Sequence, residues 1–151
     1  MGENILAYAE IALDYGVMGL LILMSIVTLW LFIERMMFYS TIRIGDYSQR
    51  DKLEMDLTDN ISVISAIGSN APYVGLLGTV IGIMLTFYTM GDAGTLDAKK
   101  IMVGLALALK ATAMGLIVAM PAIVAYTILL RKVEKILTRF DLAADNKETS
   151  S

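Results

Sequence analysis

The sequence lacks two residue types on which much protein chemistry depends. None of its 151 residues is a histidine or a cysteine. Without cysteine the chain can form no disulfide and carry out no thiol chemistry. Without histidine it lacks the commonest acid–base catalyst and the commonest metal ligand. Hydrolytic triads and the usual zinc and haem sites are therefore excluded, and we expect neither an enzyme nor a bound cofactor or metal.

Charge is also scarce, and the charged residues stand in blocks along the chain. Only 18% of the residues are charged, whereas 57% are hydrophobic, which is too apolar for an ordinary soluble domain. The net charge of -3 and the absence of a basic stripe with interleaved aromatic residues argue against nucleic-acid binding. The composition instead predicts an integral membrane protein in contact with lipid.

What the sequence does contain is long apolar stretches, the first of them near the N-terminus. Residues 15–33 carry no charge and are long enough to cross a bilayer. Aromatic residues, which favour the membrane interface, follow shortly after, so we predict a transmembrane helix over 15–39. A cleaved signal peptide is disfavoured, because no Lys or Arg precedes the stretch and no small-residue cleavage site follows it.

Two further apolar stretches predict a transmembrane hairpin over residues 61–130. Residues 61–91 are uncharged, and 98–130 contain a single charge, Lys110, beyond the two lysines at their start. At about 1.5 Å per residue, each stretch is longer than a bilayer requires. We therefore expect three transmembrane helices in an all-α protein, the second and third extending into the cytoplasm.

The remaining segments are short and polar. Residues 1–14 are acidic and fit either a periplasmic or interfacial helix or a frayed terminus. Residues 40–60 predict a short cytoplasmic loop, and 131–151 a charged cytoplasmic tail with a disordered end. Lys and Arg concentrate in that loop and that tail, so the N-terminus is predicted outside and the C-terminus in the cytoplasm.

Small residues recur every three or four positions in the second and third helices, as helix packing in lipid requires. The second helix carries Gly68, Ala71, Gly75, Gly78 and Gly82, and the third carries Gly104, Ala108, Ala111, Gly115, Ala119 and Ala122. Pro121 is grouped with these packing positions. One hairpin contact would use part of both stripes, and we expect the remainder to face neighbouring subunits. The alternative is a stable hairpin within one chain that forms no oligomer.

Three polar side chains are predicted at one level of the membrane. Counting from the 91–97 turn places Thr79, Lys110 and Thr112 at depths of about 17, 18 and 21 Å. They predict a hydrated or partner-filled core. The alternative for each threonine is a hydroxyl bonded back to its own helix.

Lys110 admits two interpretations. Its stem could snorkel toward the outer surface, or its charge could pair with a carboxylate. Since the second and third spans contain no acid, we expect the counter-charge to come from another chain, from water or, less suitably, from Glu34 at the opposite membrane face.

The stretches "APYVGLLGTVIGIM" and "ALKATAMGLIVAMPAIVAY" resemble the ExbB/TolQ/MotA family of proton-driven motor proteins, and ExbB and TolQ in particular. The resemblance implies an inner-membrane pentamer whose second and third helices line a central pore. It implies an ExbD-like single-span partner with a titrating aspartate, and a TonB-like protein that receives the work. Thr79 and Thr112 would be the pore-facing threonines near that aspartate.

The chain departs from the family pattern at two places. The third-helix glutamate of the family is replaced by Leu107, and the cytoplasmic segment between the first two spans is short. The short segment weighs against a flagellar MotA. An ExbB-like role in energising uptake is the leading interpretation, with a TolQ-like envelope-integrity role and a passive membrane scaffold as alternatives.

Overall fold

The computed structural model describes residues 2–93 and 97–149, which form four α-helices and no strand. A single 3-10 turn, Ile44–Asp46, lies between the first two helices. The helices are α1 (Gly2–Thr41), α2 (Arg50–Thr58), α3 (Ile61–Ala93) and α4 (Ala98–Thr149). The turn predicted over 91–97 falls partly on residues 94–96, between α3 and α4, which lie outside the described part of the chain.

Three of the helices are long and apolar enough to cross a membrane. The candidate spans are Tyr8–Thr41, Ile61–Gly91 and Ala98–Lys147. The prediction of an all-α protein with three spans, two of them longer than a bilayer requires, is therefore confirmed.

Helices α1 and α4 both continue beyond the ends expected from sequence. Residues 2–14 belong to α1 rather than to a separate segment, and no proline interrupts the helix between them and the apolar stretch. The tail from 131 onwards continues α4 to Thr149. The described part of the end that was expected to be disordered is therefore helical. The apolar side chains of the tail explain this, since Val133 and Leu137 are buried in the core.

The segment 40–60 is a small helical cap rather than a loop. Leu53 and Leu57 of α2 are completely buried in the same cluster as the end of α4. The hydroxyl of Tyr39 in α1 donates to the Leu57 carbonyl at 2.7 Å. Tyr47 donates to Asp56 at 2.8 Å, and this hydrogen bond raises the pKa of the Tyr47 hydroxyl. The cap therefore ties the end of α1 to the hairpin.

The chain turns sharply from α2 into α3 at Asn60, whose φ of 59° lies in the left-handed region that asparagine tolerates. Beyond this turn α3 runs antiparallel to α4. Since the end of α1 and the end of α4 meet at the cap, α1 and α4 run in the same direction.

The backbones of α3 and α4 touch where small residues face one another. A Cβ added to Gly75 would lie 2.6 Å from the Ala111 carbonyl oxygen, and one added to Gly115 would lie 2.7 Å from that of Ala71. Either distance is too short for a real side chain, so only glycine fits at both positions.

Both small-residue stripes are used inside this hairpin. Gly68 meets Ala122 and Ile123, Gly82 meets Ala108, and Gly104 meets Thr86. The alanines of the stripes are 0 to 6% exposed. The expectation that a remainder of the stripes faces neighbouring subunits is therefore wrong, because the two stripes are complementary along their length.

Replacing Gly115 by alanine should destabilise the hairpin, because the new methyl group would force the two backbones apart. We expect a loss of about 1–3 kcal/mol in the free energy of unfolding, as for other overpacked sites. Gly19→Ala is the matched control, since a Cβ at Gly19 has nothing within 4 Å. Thermal unfolding in detergent measures both variants. Equal stability of the two would contradict the backbone contact.

Candidate functional site

A polar node joins α3 to α4 within otherwise apolar surroundings. Thr79 is 7% exposed, and its hydroxyl lies 2.9 Å from the Ala108 carbonyl oxygen and within hydrogen-bond distance of the Thr112 hydroxyl. The carbonyl of Gly75, one turn earlier in α3, is 3.3 Å away. The two threonines therefore meet across the hairpin, as their predicted common level requires.

The close approach of the backbones explains why these groups meet. The Gly75 and Gly115 contact lies one turn from Thr79, so the hydroxyl reaches the facing helix without a long side chain. A threonine here need not rely on its own helix alone for a partner. The interpretation in which each hydroxyl only bonds back to its own helix does not describe Thr79, which bonds across the hairpin.

The node has two possible arrangements because each hydroxyl carries one proton and two lone pairs. In the first, Thr79 donates to the Ala108 carbonyl and Thr112 donates to Thr79. In the second, Thr79 donates to Thr112, whose own proton is then free to point elsewhere. Thr112 is partly exposed. It can therefore accept a hydrogen bond from an outside group in the first arrangement and donate one in the second.

Lys110 has its counter-charge within the same chain. Its Nζ donates to Oδ2 of Asp14 in α1 at 3.0 Å, and the two side chains are 42% and 47% exposed. The expectation that the partner must be another chain, water or Glu34 is wrong. Glu34 instead bonds Arg35 at 2.6 Å, at the other end of α1.

Sequence reasoning missed Asp14 as a site residue, although a signal was present. Asp14 is the last charge before the uncharged stretch 15–33, and Lys110 is the last before the uncharged stretch 111–130. The two stretches have nearly equal length. Once the helices are known to run in the same direction, the two charges stand side by side.

A cavity of about 850 Å³ opens beside this ion pair, between α1 and the hairpin. Its walls include the titratable side chains of Glu10, Asp14, Asp97, Lys99 and Lys100 and the hydroxyls of Thr86 and Thr89. Its floor includes Gly78, Ala108 and Ala111, next to the threonine node. Leu107, where the family glutamate was expected, also lines this cavity rather than the node.

The remaining predicted positions divide into two sets. Five of them lie at the contact between α3 and α4, namely Gly75, Gly78, Gly82, Gly104 and Gly115. Pro121 is exposed on α4, so its role in packing remains a prediction. Among residues 2–93 and 97–149, no group of three or more acidic side chains is placed to hold a metal ion.

Comparison with known proteins identifies the group to which this hairpin belongs. Residues 42–142 match the MotA/TolQ/ExbB proton channel family. The chain belongs to that family. It is thus a multi-pass membrane protein of the proton channel group, and the family resemblance noted in its second and third helices is confirmed.

Individual relatives cover almost the whole chain. It is 50% identical over 140 residues to the biopolymer transport protein ExbB of Helicobacter pylori strain J99, covering 93% of this chain and 97% of that protein. It is 51% identical to ExbB of Aquifex aeolicus, with 92% and 93% covered. The Tol-Pal system protein TolQ of Pseudomonas aeruginosa is 36% identical over 103 residues, which span 68% of this chain and 43% of TolQ.

Removing the Thr79 hydroxyl should cost more stability than removing that of Thr112. Thr79→Val loses the bonds to both Ala108 and Thr112, so we expect a loss of about 1 kcal/mol in the free energy of unfolding. Thr112→Val should cost less, and the double variant less than the sum, because the two hydroxyls share a bond.

Thr127→Val is the control for these variants, since the Thr127 hydroxyl is exposed and bonds only the Ile123 carbonyl of its own helix. Thermal unfolding in detergent measures all four proteins. Strictly additive losses for Thr79 and Thr112 would contradict a shared node.

Proposed function

We propose that this chain is the ExbB-like subunit of an inner-membrane, proton-driven motor that energises TonB-dependent uptake across the outer membrane. The observation that carries the proposal is the match to ExbB proteins over more than nine-tenths of both chains. A TolQ-like role in envelope integrity is the second candidate, favoured by the shorter match to TolQ. A passive scaffold would have no use for paired hydroxyls inside its apolar hairpin.

The threonine node suggests how the chain takes part in proton movement. A carboxyl group on a partner needs a hydrogen-bond acceptor when it is protonated and donors when it is ionised. Thr112 provides either, by switching between the two arrangements it shares with Thr79. We place the aspartate of an ExbD-like single-span helix beside Thr112, with the proton carried by that aspartate and each charge state held by this chain.

The assembly in the proposal is a ring of five chains around the partner helices. Large apolar side chains of α3 and α4 are exposed in the single chain, which supports their burial in an oligomer or in lipid. They include Leu76, Leu77, Val80, Met84, Leu109, Leu116, Ile117 and Met120. Since the small-residue stripes are consumed inside each hairpin, the subunit contacts would use these larger side chains.

Co-expression with the adjacent single-span membrane protein should yield a complex. Native mass spectrometry of the detergent-solubilised complex should give five copies of this chain with at least one copy of the partner. A chain that appears only as a monomer or dimer, with no partner attached, would contradict the assembly.

Uptake in cells tests the activity. In a strain lacking its own ExbB, this chain with its partner should restore uptake that requires the proton-motive force. Thr79→Val and Thr112→Val should each reduce that uptake at unchanged membrane abundance, and Thr127→Val should not. Restored resistance to detergent without restored uptake would favour the TolQ-like role instead.

The Lys and Arg distribution gives the orientation in this proposal, with the N-terminus periplasmic and the C-terminus cytoplasmic. A reporter active only in the cytoplasm should work when fused after Ser151, and a reporter that requires export should not. The reverse result would overturn the orientation and the direction of proton entry.

A further inference from the structure

The Asp14–Lys110 ion pair is the polar link between α1 and the hairpin at its outer end. The two atoms are 3.0 Å apart and belong to residues 96 positions apart in the chain. At the opposite end, α1 is tied through Arg35 and Tyr39 to backbone carbonyls of the α2 region. Helix α1 is therefore held by polar contacts at two places, on either side of its uncharged stretch.

One helical turn after Asp14, α1 packs against α3 and α4. A Cβ added to Gly78 would lie 3.0 Å from Cγ1 of Val17 and 3.0 Å from the Ala111 methyl group. Val17 follows Asp14 by one helical turn, and Ala111 follows Lys110 directly in sequence. Leu21, a further turn along, is 1% exposed. The ion pair and this apolar contact thus form one continuous seat.

On the N-terminal side of Asp14, apolar packing gives way to the 850 Å³ cavity. Glu10 and Ile11 of α1 face Thr89, Met90 and Val103 of the hairpin across it. Because a cavity supplies few contacts to either wall, α1 gains little from dispersion attraction over this stretch. The ion pair therefore contributes more to holding α1 in place beside the cavity than a similar pair would on a fully packed surface.

We infer that Asp14 and Lys110 form a latch that seats α1 on the hairpin beside the threonine node, so that both are positioning residues for the motor. The effect of this latch on uptake rests on the proposed function. Neither side chain transfers a proton in this role. Together they fix Val17 against Gly78 and Ala111, whose neighbours Thr79 and Thr112 make the node.

The latch is tested by neutralising and exchanging its charges. Asp14→Asn and Lys110→Met should each reduce uptake about fivefold or more, which is within the coupling measured for contacting residues. The exchanged variant Asp14→Lys with Lys110→Asp should restore uptake to within about twofold, because it rebuilds the pair with opposite polarity. Glu10→Gln, which removes a nearby carboxylate of the same helix, should leave uptake unchanged.

A second measurement follows the seat itself and does not depend on uptake. Because the chain has no cysteine, a single Val17→Cys can be labelled selectively in detergent with a small maleimide. Labelling should be slow in the otherwise unchanged chain, faster with Asp14→Asn added, and slow again with the charges exchanged. Gly19→Cys, at a position with nothing within 4 Å, should be labelled quickly in all backgrounds.

The outcomes separate the latch from the proposed function. A chain that never supports uptake but shows the expected labelling overturns the proposed function and supports the latch. Unchanged labelling of Val17→Cys in Asp14→Asn overturns the latch. So does an exchanged variant that seats α1 but has no uptake, since Asp14 would then act as a carboxylate at its own position. Uptake lost equally in Glu10→Gln also overturns it.

Discussion

The backbone contact between α3 and α4 at Gly75 and Gly115 is the constraint on which the rest of the structure depends. Lipid gives apolar helices little reason to associate, so association must come from close packing. Glycine at both positions removes the side chains that would otherwise separate the backbones. Only at this separation does the Thr79 hydroxyl reach the Ala108 carbonyl, and only then does the chain have a polar node.

Polar groups are scarce in the membrane-spanning helices, so stability depends on each of them having a partner. An unsatisfied polar group in an apolar medium costs several kcal/mol, and a lone charge costs more. The buried Thr79 hydroxyl is accordingly satisfied across the hairpin, and Lys110 is paired with Asp14. The charge in the third span is thus paired within the chain, with an acid of the first span.

Much of the fold follows from the sequence because it depends on patterns within single helices. Length, lack of charge and the spacing of small residues indicated three long helices and a hairpin, and counting from its turn placed Thr79 and Thr112 at one level. The pairing of α1 with α4 could not be obtained this way, because the register between Asp14 and Lys110 depends on how two distant helices align. The capping helix was missed for a similar reason, since Leu53 and Leu57 become apolar anchors only when the ends of α1 and α4 are nearby.

The two polar links differ in what they can do. The threonine node lies inside the hairpin and is neutral, and its hydroxyl protons have two arrangements, one with a bond to the Ala108 carbonyl and one with the Thr112 proton free. The ion pair joins separate helices and has one arrangement, so in the proposed latch its loss loosens α1 beside the cavity. The proposed function would use both properties, with the node following the protonation of a partner and α1 holding the hairpin that carries the node. In the proposed motor, the hairpin would respond to a proton at the node while α1, held on either side of its uncharged stretch, keeps the hairpin in position.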